Sequence, residues 1–130
     1  MEFTTALLSL GAVTFVMLFI EVNFTYATQG LVFGWSANRP KVEYSPLAQR
    51  IKAAYNNQIE SVAYTLPPLM TAAFIGLDHS GAELAALAIV VGRATYGLLY
   101  YTGIPYARLV GFALATLGSG YLIIIVAVNL

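Results

Sequence analysis

Four long apolar segments, separated by short polar connections, constrain what this chain of 130 residues can fold into. They cover about 5–34, 46–76, 81–101 and 105–128, and each supplies the roughly 20 apolar residues that a membrane-spanning helix needs. Only 9% of the residues are charged, whereas soluble domains carry about 25%. The segments do not alternate between polar and apolar residues, which argues against the strands of a barrel. We therefore predict an all-α membrane protein whose single domain is a bundle of four transmembrane helices.

Capping signals at the ends of the segments support these boundaries. Ser45-Pro46 combines an N-cap residue with a proline at the first helical position, which predicts the start of the second helix. Ser80 and Glu83 have the spacing of a capping box at the start of the third helix. Pro105 follows a glycine-containing break and predicts the start of the fourth helix.

The distribution of charge predicts the orientation in the membrane. The acidic residues Glu2, Asp78 and Glu83 lie on one side, which has no lysine or arginine. By the positive-inside rule, the loops 35–45 and 102–105 are expected in the cytoplasm and both termini outside. The six basic residues all lie toward the cytoplasmic side: Arg39, Lys41, Arg50, Lys52, Arg93 and Arg108.

Several classes of partner and chemistry are disfavoured by composition. The chain has no cysteine and a single histidine, His79, so disulfides, thiolate nucleophiles and a protein-built metal site are not expected. The formal net charge is zero, which argues against nucleic acid as a partner. Membrane lipids and apolar small molecules remain as the expected surroundings and ligands.

A polar stretch, "AYNNQIESVAY", opens the apolar part of the second segment. Within it, Glu60 lies about 12 Å deeper than Lys52 at the rise of a helix. Arg93 and Glu21 reach a similar depth from other helices. Because an arginine in the hydrocarbon region keeps its charge, Arg93 needs an anionic partner. We predict a buried polar network of Glu21, Glu60 and Arg93, with Glu60 as the first choice of partner for Arg93.

Helical spacing places these side chains on two stripes that can face each other. Two interpretations stay open: the stripes line a cavity open to the cytoplasm, or they form a polar network that only locks the helices together. The stripe residues are Arg50, Asn57, Glu60 and Tyr64 on the second helix, and Arg93, Tyr96 and Tyr100 on the third.

The two stripes resemble the motifs of the MAPEG family, the membrane-associated proteins in eicosanoid and glutathione metabolism. The family pattern on the second helix is an arginine, often a second arginine three residues on, and then Asn and Glu three residues apart. The pattern on the third helix is an arginine followed by an aromatic residue or His and a Tyr. The segments "FGWSANRP" and "YYTGIPYARLVGF" are similar to the bacterial branch, which implies a bacterial inner membrane. The resemblance covers essentially the whole chain.

The resemblance implies a homotrimer with glutathione sites between neighbouring subunits, open to the cytoplasm. The activity implied is conjugation of the glutathione thiolate to an apolar electrophile, or reduction of a lipid hydroperoxide. Glutathione is then the co-substrate, and no metal is required. Arg108 and Tyr100 are the implied catalytic residues, and Arg50 and Arg39 are more peripheral. The implied glutathione-binding residues are Arg50, Asn57, Glu60, Arg93, Tyr96 and Tyr100.

One departure from the family pattern keeps alternatives open. Ala53 occupies the position of the second arginine on the second helix. A non-catalytic accessory or lipid-binding subunit of MAPEG fold, within a larger membrane complex, is the main alternative. A small transporter or channel built on Glu21, Glu60 and Arg93 is a third reading.

Overall fold

The computed structural model describes residues 1–130, and its regular structure is entirely helical. Three helices, α1, α4 and α5, are long and apolar enough to cross a membrane. The fourth long helix, α3, is the one that carries the polar stretch. The helices are α1 (Phe3–Gln29), α2 (Leu31–Trp35), α3 (Pro46–Phe74), α4 (Ser80–Thr102) and α5 (Arg108–Asn129).

The boundaries differ from the sequence prediction at three places. The first apolar segment is two helices, because Gly30 adopts φ 86° and breaks the chain between α1 and α2. Helix α4 is capped by His79, whose Nδ1 accepts from the backbone N–H of Ala82 at 3.1 Å, so the predicted cap at Ser80 is wrong by one residue. Helix α5 begins at Arg108 and not at Pro105.

The physical reason for the late start of α5 lies in the connection from α4. Gly103 ends α4 in the left-handed conformation at φ 72°. Tyr106 also has a positive φ, 64°, which is incompatible with a right-handed helix. Pro105 therefore sits in a turn, and the helix starts only two residues after Tyr106. The predicted start of α3 is confirmed, since Ser45 Oγ accepts from the N–H of Ala48 at 3.2 Å.

Small residues bring α4 and α5 into close contact. A Cβ added to Gly111 of α5 would lie 2.5 Å from the backbone nitrogen of Tyr96, and one added to Gly92 of α4 would lie 2.6 Å from that of Ala115. Gly111, Ala115 and Ser119 are all buried. The four-residue spacing of small residues thus serves packing within one bundle, as the sequence predicts.

The bundle is apolar at one end and polar at the other. Helices α3 and α4 are central, because α1 contacts α3 and α4, α5 contacts α4 and α3, and α1 and α5 do not meet. Near the N-terminus, Leu10, Leu69, Ile89 and Leu122 are fully or almost fully buried in a continuous apolar core. Toward the other end of this core lie the buried Gln58 of α3 and Arg93 of α4, around which the candidate site forms.

Candidate functional site

Arg93 lies in the interior of the bundle, with 0% of its surface exposed. Its Nε donates to Gln58 Oε1 at 2.8 Å, and its Nη2 donates to Asn57 Oδ1 at 2.9 Å. The guanidinium carbon lies 4.6 Å from the centre of the Tyr96 ring. Two amide oxygens and an aromatic face thus solvate the cation, while Nη1 has no partner within the chain.

The contacts of Arg93 continue into α1. Gln58 Nε2 donates to Thr14 Oγ1 at 2.8 Å, and Thr14 Oγ1 donates in turn to the carbonyl of Leu10 at 2.8 Å. We call Thr14, Asn57, Gln58 and Arg93 the polar seam. It joins α1, α3 and α4 through side chains alone. Since side chains buried in the membrane must find their hydrogen bonds within the protein, the seam fixes the relative rotation of the three helices.

The predicted network of Glu21, Glu60 and Arg93 is wrong within the single chain. Glu60 is exposed and forms no ion pair. Glu21 pairs instead with Lys52 at 2.6 Å. Two residues along a helix correspond to a rotation of about 200°, so Glu60 points away when Gln58 faces α4. A neutral amide also costs less to bury than a carboxylate, which favours Gln58 as the interior partner of Arg93.

The Lys52–Glu21 pair ties α3 to α1 nearer the polar end of the bundle. Lys52 Nζ also lies 3.5 Å from Thr25 Oγ1 and 4.8 Å from the centre of the Tyr44 ring. Tyr44 belongs to the connection that precedes α3, so the same lysine holds this loop against the bundle. The pair is partly buried and its two charges neutralise each other, which is the arrangement of a structural contact.

A cleft of about 390 Å³ opens where α4 ends and α5 begins. Two of its side chains are arginines, and none is acidic. We call it the arginine cleft. Its lining consists of Arg50, Tyr100, Gly103, Ile104, Pro105, Tyr106, Arg108 and Leu109.

Both arginines of the cleft are held in place without using a carboxylate. Arg50 Nε donates to the backbone carbonyl of Tyr101 at 3.3 Å, at the negative end of α4. Gly103 permits this approach, because a Cβ there would lie 2.9 Å from the guanidinium carbon of Arg50. The guanidinium carbon of Arg108 lies 4.4 Å from the centre of the Tyr100 ring. Two guanidinium groups beside one cleft are an arrangement that can bind an anion such as a carboxylate.

A family model describes nearly the whole chain: that of the MAPEG family matches residues 3–128. The chain belongs to the MAPEG family. With three helices able to span a bilayer, it is an integral membrane protein of the family associated with eicosanoid and glutathione metabolism. No curated protein and no solved structure matches the chain.

The residues of the MAPEG motifs divide between the cleft and the seam. Arg50, Tyr100 and Arg108 line the arginine cleft. Asn57 and Arg93 are hydrogen-bonded to each other in the polar seam. Glu60 belongs to neither and faces outward from α3. Arg39 lies outside both, since it donates to the carbonyl of Gly34 and stacks on Phe33 at 5.4 Å.

Tyr96 connects the polar seam to the arginine cleft. Its ring lies against Arg93 on one side and makes an edge-to-face contact with Tyr100, with ring centres 5.5 Å apart. Only 4% of Tyr96 is exposed. The aromatic pair Tyr96–Tyr100 therefore joins the interior arginine to the ring on which Arg108 rests.

Sequence reasoning missed Gln58, the residue that links Arg93 to α1. A signal for it exists in the chain. Ala54, Gln58, Ser61 and Thr65 are small or polar, recur at intervals of three and four, and are all buried. This period marks the face of α3 that meets the other helices, and Gln58 is its longest polar side chain.

Proposed function

We propose that this MAPEG protein is an integral membrane glutathione-dependent transferase or peroxidase. Its substrates are apolar electrophiles or lipid hydroperoxides that arrive from the bilayer. The observation that carries the proposal is the arginine cleft, in which Arg50 and Arg108 face an open volume of about 390 Å³ without a carboxylate partner. Glutathione carries two carboxylates, an ammonium group and a thiol, and its two carboxylates match a site with two fixed guanidinium groups.

Arg108 is the residue that we assign to the thiol. A guanidinium close to the sulfur favours the thiolate over the thiol, and the thiolate is the nucleophile. In the transferase reaction, the thiolate forms a C–S bond with the electrophile, whose leaving group departs with its electron pair or whose double bond takes up a proton. In the peroxidase reaction, two glutathiones reduce the hydroperoxide to alcohol and water and become a disulfide. Tyr100, whose ring supports Arg108, is the second catalytic candidate.

Arg93 and Tyr96 enter this proposal as residues that shape the site from inside. Arg93 is fully buried, and it holds the Oδ1 of Asn57 and packs on the ring of Tyr96. The amide nitrogen of Asn57 keeps its donors for a ligand. We therefore assign Asn57 and Tyr96 to the glutathione site and Arg93 to their orientation.

The outward face of α3 supports an assembly of several copies. Glu60 and Asn56 are exposed on a helix that packs beside three membrane-crossing helices. An exposed carboxylate at that depth is costly in lipid, so a neighbouring subunit is a better surrounding for it. The homotrimer follows from the family resemblance, and in it Glu60 reaches the glutathione amino group at a subunit interface.

The proposed topology has four spans, with α3 as the polar one sheltered by neighbours. The loops 35–45 and 102–105 then lie in the cytoplasm, with both termini outside. This places the arginine cleft on the glutathione-containing side of a bacterial inner membrane. The excess of basic residues at this end of the bundle supports that orientation.

A second function is favoured by one specific residue. Ala53 stands where the MAPEG pattern often has an arginine, and one lost carboxylate contact of about 1.5–3 kcal/mol weakens binding by roughly 10- to 100-fold. A chain with this change fits a non-catalytic accessory or lipid-binding subunit of a larger membrane complex. Such a subunit keeps the fold and does not bind glutathione at millimolar concentration.

A calorimetric titration of glutathione into the purified protein in uncharged detergent distinguishes the two proposed functions. We expect saturable binding that weakens about 10-fold or more in Arg50→Gln and in Arg108→Gln. Lys41→Gln is the matched control, because it removes one exposed positive charge outside the cleft. Absence of binding to the folded wild type at millimolar glutathione would contradict the enzyme and favour the accessory subunit.

A further inference from the structure

The arginine cleft lies at the level of the membrane surface. Its floor is the connection between α4 and α5, which are both able to span the bilayer, so this connection emerges at the polar boundary. Three side chains on the rim of the cleft are apolar or aromatic and exposed: Ile104 at 59%, Tyr106 at 81% and Leu109 at 48%. Cations beside exposed apolar groups at this depth match the boundary between headgroups and acyl chains.

The charges of the cleft differ from the other cations of the chain that are partly buried. Lys52 has Glu21, and the amino group of Met1 has Glu83 at 3.7 Å. Arg50 and Arg108 have only a carbonyl and an aromatic ring. Both arginines line the cleft, and no acidic side chain lines it with them. An anion from outside the chain would meet two cations there that have no carboxylate partner.

A soluble tripeptide uses only part of this site. Its carboxylates can meet the two arginines, but it has little apolar surface to cover Ile104 and Leu109. A phospholipid with a net negative headgroup satisfies both features, because its phosphate can accept from the guanidinium groups while its glycerol and upper acyl carbons contact the rim. Tyr106, which is exposed, adds an aromatic side chain at the same level.

We infer that the arginine cleft binds the phosphate of an anionic phospholipid, and that this lipid competes with glutathione for Arg50 and Arg108. The lipid binding does not depend on the proposed function, whereas the competition rests on it. In a membrane, the occupancy of the cleft would then follow the local fraction of anionic lipid. Glutathione affinity would fall as that fraction rises.

The test uses the full chain in uncharged detergent, so that no charged bilayer surface repels glutathione. Dihexanoyl phosphatidylglycerol is titrated by calorimetry beside dihexanoyl phosphatidylcholine and inorganic phosphate. We expect the anionic lipid to bind about tenfold or more tightly than either comparison ligand. The double variant Arg50→Gln/Arg108→Gln should lose that preference, and Lys41→Gln should keep it. Equal binding of the two lipids would overturn the inference, and phosphate binding as tight as the anionic lipid would assign the cleft to a soluble anion.

A second titration separates this inference from the proposed function. Glutathione is titrated at rising concentrations of the anionic lipid, and we expect its apparent Kd to rise linearly with the concentration of free lipid once that concentration exceeds the Kd of the lipid. An unchanged Kd would overturn the competition while leaving the enzyme proposal intact. Lipid binding that needs the two arginines, together with no glutathione binding in the absence of lipid, would remove the enzyme proposal and leave the lipid site standing.

Discussion

The two faces of α4 pack against their neighbours in opposite ways. Toward α3, Arg93 enters a polar seam and is held by side-chain amides. Toward α5, Gly92 meets Ala115 with almost no side chain between the backbones. The first contact is directional, since hydrogen bonds fix a rotation. The second depends on shape, since any added atom separates the helices.

The difference shows how a small membrane bundle supports a polar site. The close α4–α5 contact continues toward the polar end of the bundle, where it sets the spacing of Tyr100 and Arg108. The polar seam sets the rotation of α4, and through Tyr96 it also determines where Tyr100 lies. The arginine cleft thus forms where two constraints act together: the close α4–α5 contact fixes the distance between the two helices, and the polar seam fixes the rotation of α4.

Removing the central amide of the polar seam should have the largest effect. Gln58→Leu leaves the Nε donor of Arg93 without its acceptor and removes the donor to the hydroxyl oxygen of Thr14. We expect a loss of about 3 kcal/mol in the free energy of unfolding, because a buried charged group loses a hydrogen bond. The measurement is helicity during titration with a denaturing detergent.

The control for this variant is Gln49→Leu, which removes an exposed amide bonded only to the carbonyl of Tyr44. It should change stability by no more than about 0.5 kcal/mol. If the two glutamine variants unfold at the same detergent fraction, the polar seam does not stabilise the bundle.

Adding one methyl group to the α4–α5 contact should have an intermediate effect. In Gly111→Ala, the new Cβ would lie 2.5 Å from the Tyr96 nitrogen, which is backbone and cannot rotate away. We expect a loss of about 2 kcal/mol from overpacking, together with weaker ligand binding as Arg108 moves from Tyr100. The melting temperature in detergent reports the first effect and calorimetry the second.

Gly120→Ala is the matched control on the same helix, because an added Cβ there meets nothing within 4 Å. It should be neutral or slightly stabilising, since alanine favours helix by up to about 1 kcal/mol. Equal melting temperatures for Gly111→Ala and Gly120→Ala would mean that α4 and α5 lie far enough apart in solution to accept a methyl group at position 111.

Breaking the Lys52–Glu21 pair should have the smallest effect. Its side chains are 25% and 17% exposed, so water still screens the interaction, and we expect Lys52→Met to cost about 1 kcal/mol. A double-mutant cycle with Glu21→Gln isolates the coupling between the two. A coupling larger than that of Arg93 with Gln58 would reverse the order of importance proposed for the two contacts.

The coarse architecture was accessible from the sequence because it depends on long patterns. Apolar length predicted the membrane helices, and the spacing of Gly111, Ala115 and Ser119 predicted a close contact within the bundle. The stripes of α3 and α4 were expected to face each other, and Asn57 and Arg93 do so. These features average over many residues, so no single side chain decides them.

The partners of individual charges were not accessible in the same way. The rule that a buried arginine needs a carboxylate pointed to Glu60, but two amide oxygens and the Tyr96 ring serve Arg93 within the chain. The prediction paired Glu21 with Arg93 because the two lie at a similar depth. The partner of Glu21 also depends on the rotation of α1, and that rotation brings Glu21 to Lys52. The turn at Tyr106 delays α5 beyond Pro105, and a positive φ at a tyrosine has no sequence signature.

The most direct test of this account is the structure of the protein in a lipid bilayer with glutathione, determined by electron cryo-microscopy. The account predicts density for the tripeptide against Arg50 and Arg108, while Arg93 keeps its contacts with Asn57 and Gln58 in the interior. Glutathione bound directly to the guanidinium of Arg93, with the seam opened, would contradict it. The polar seam would then be the binding site itself and not its support.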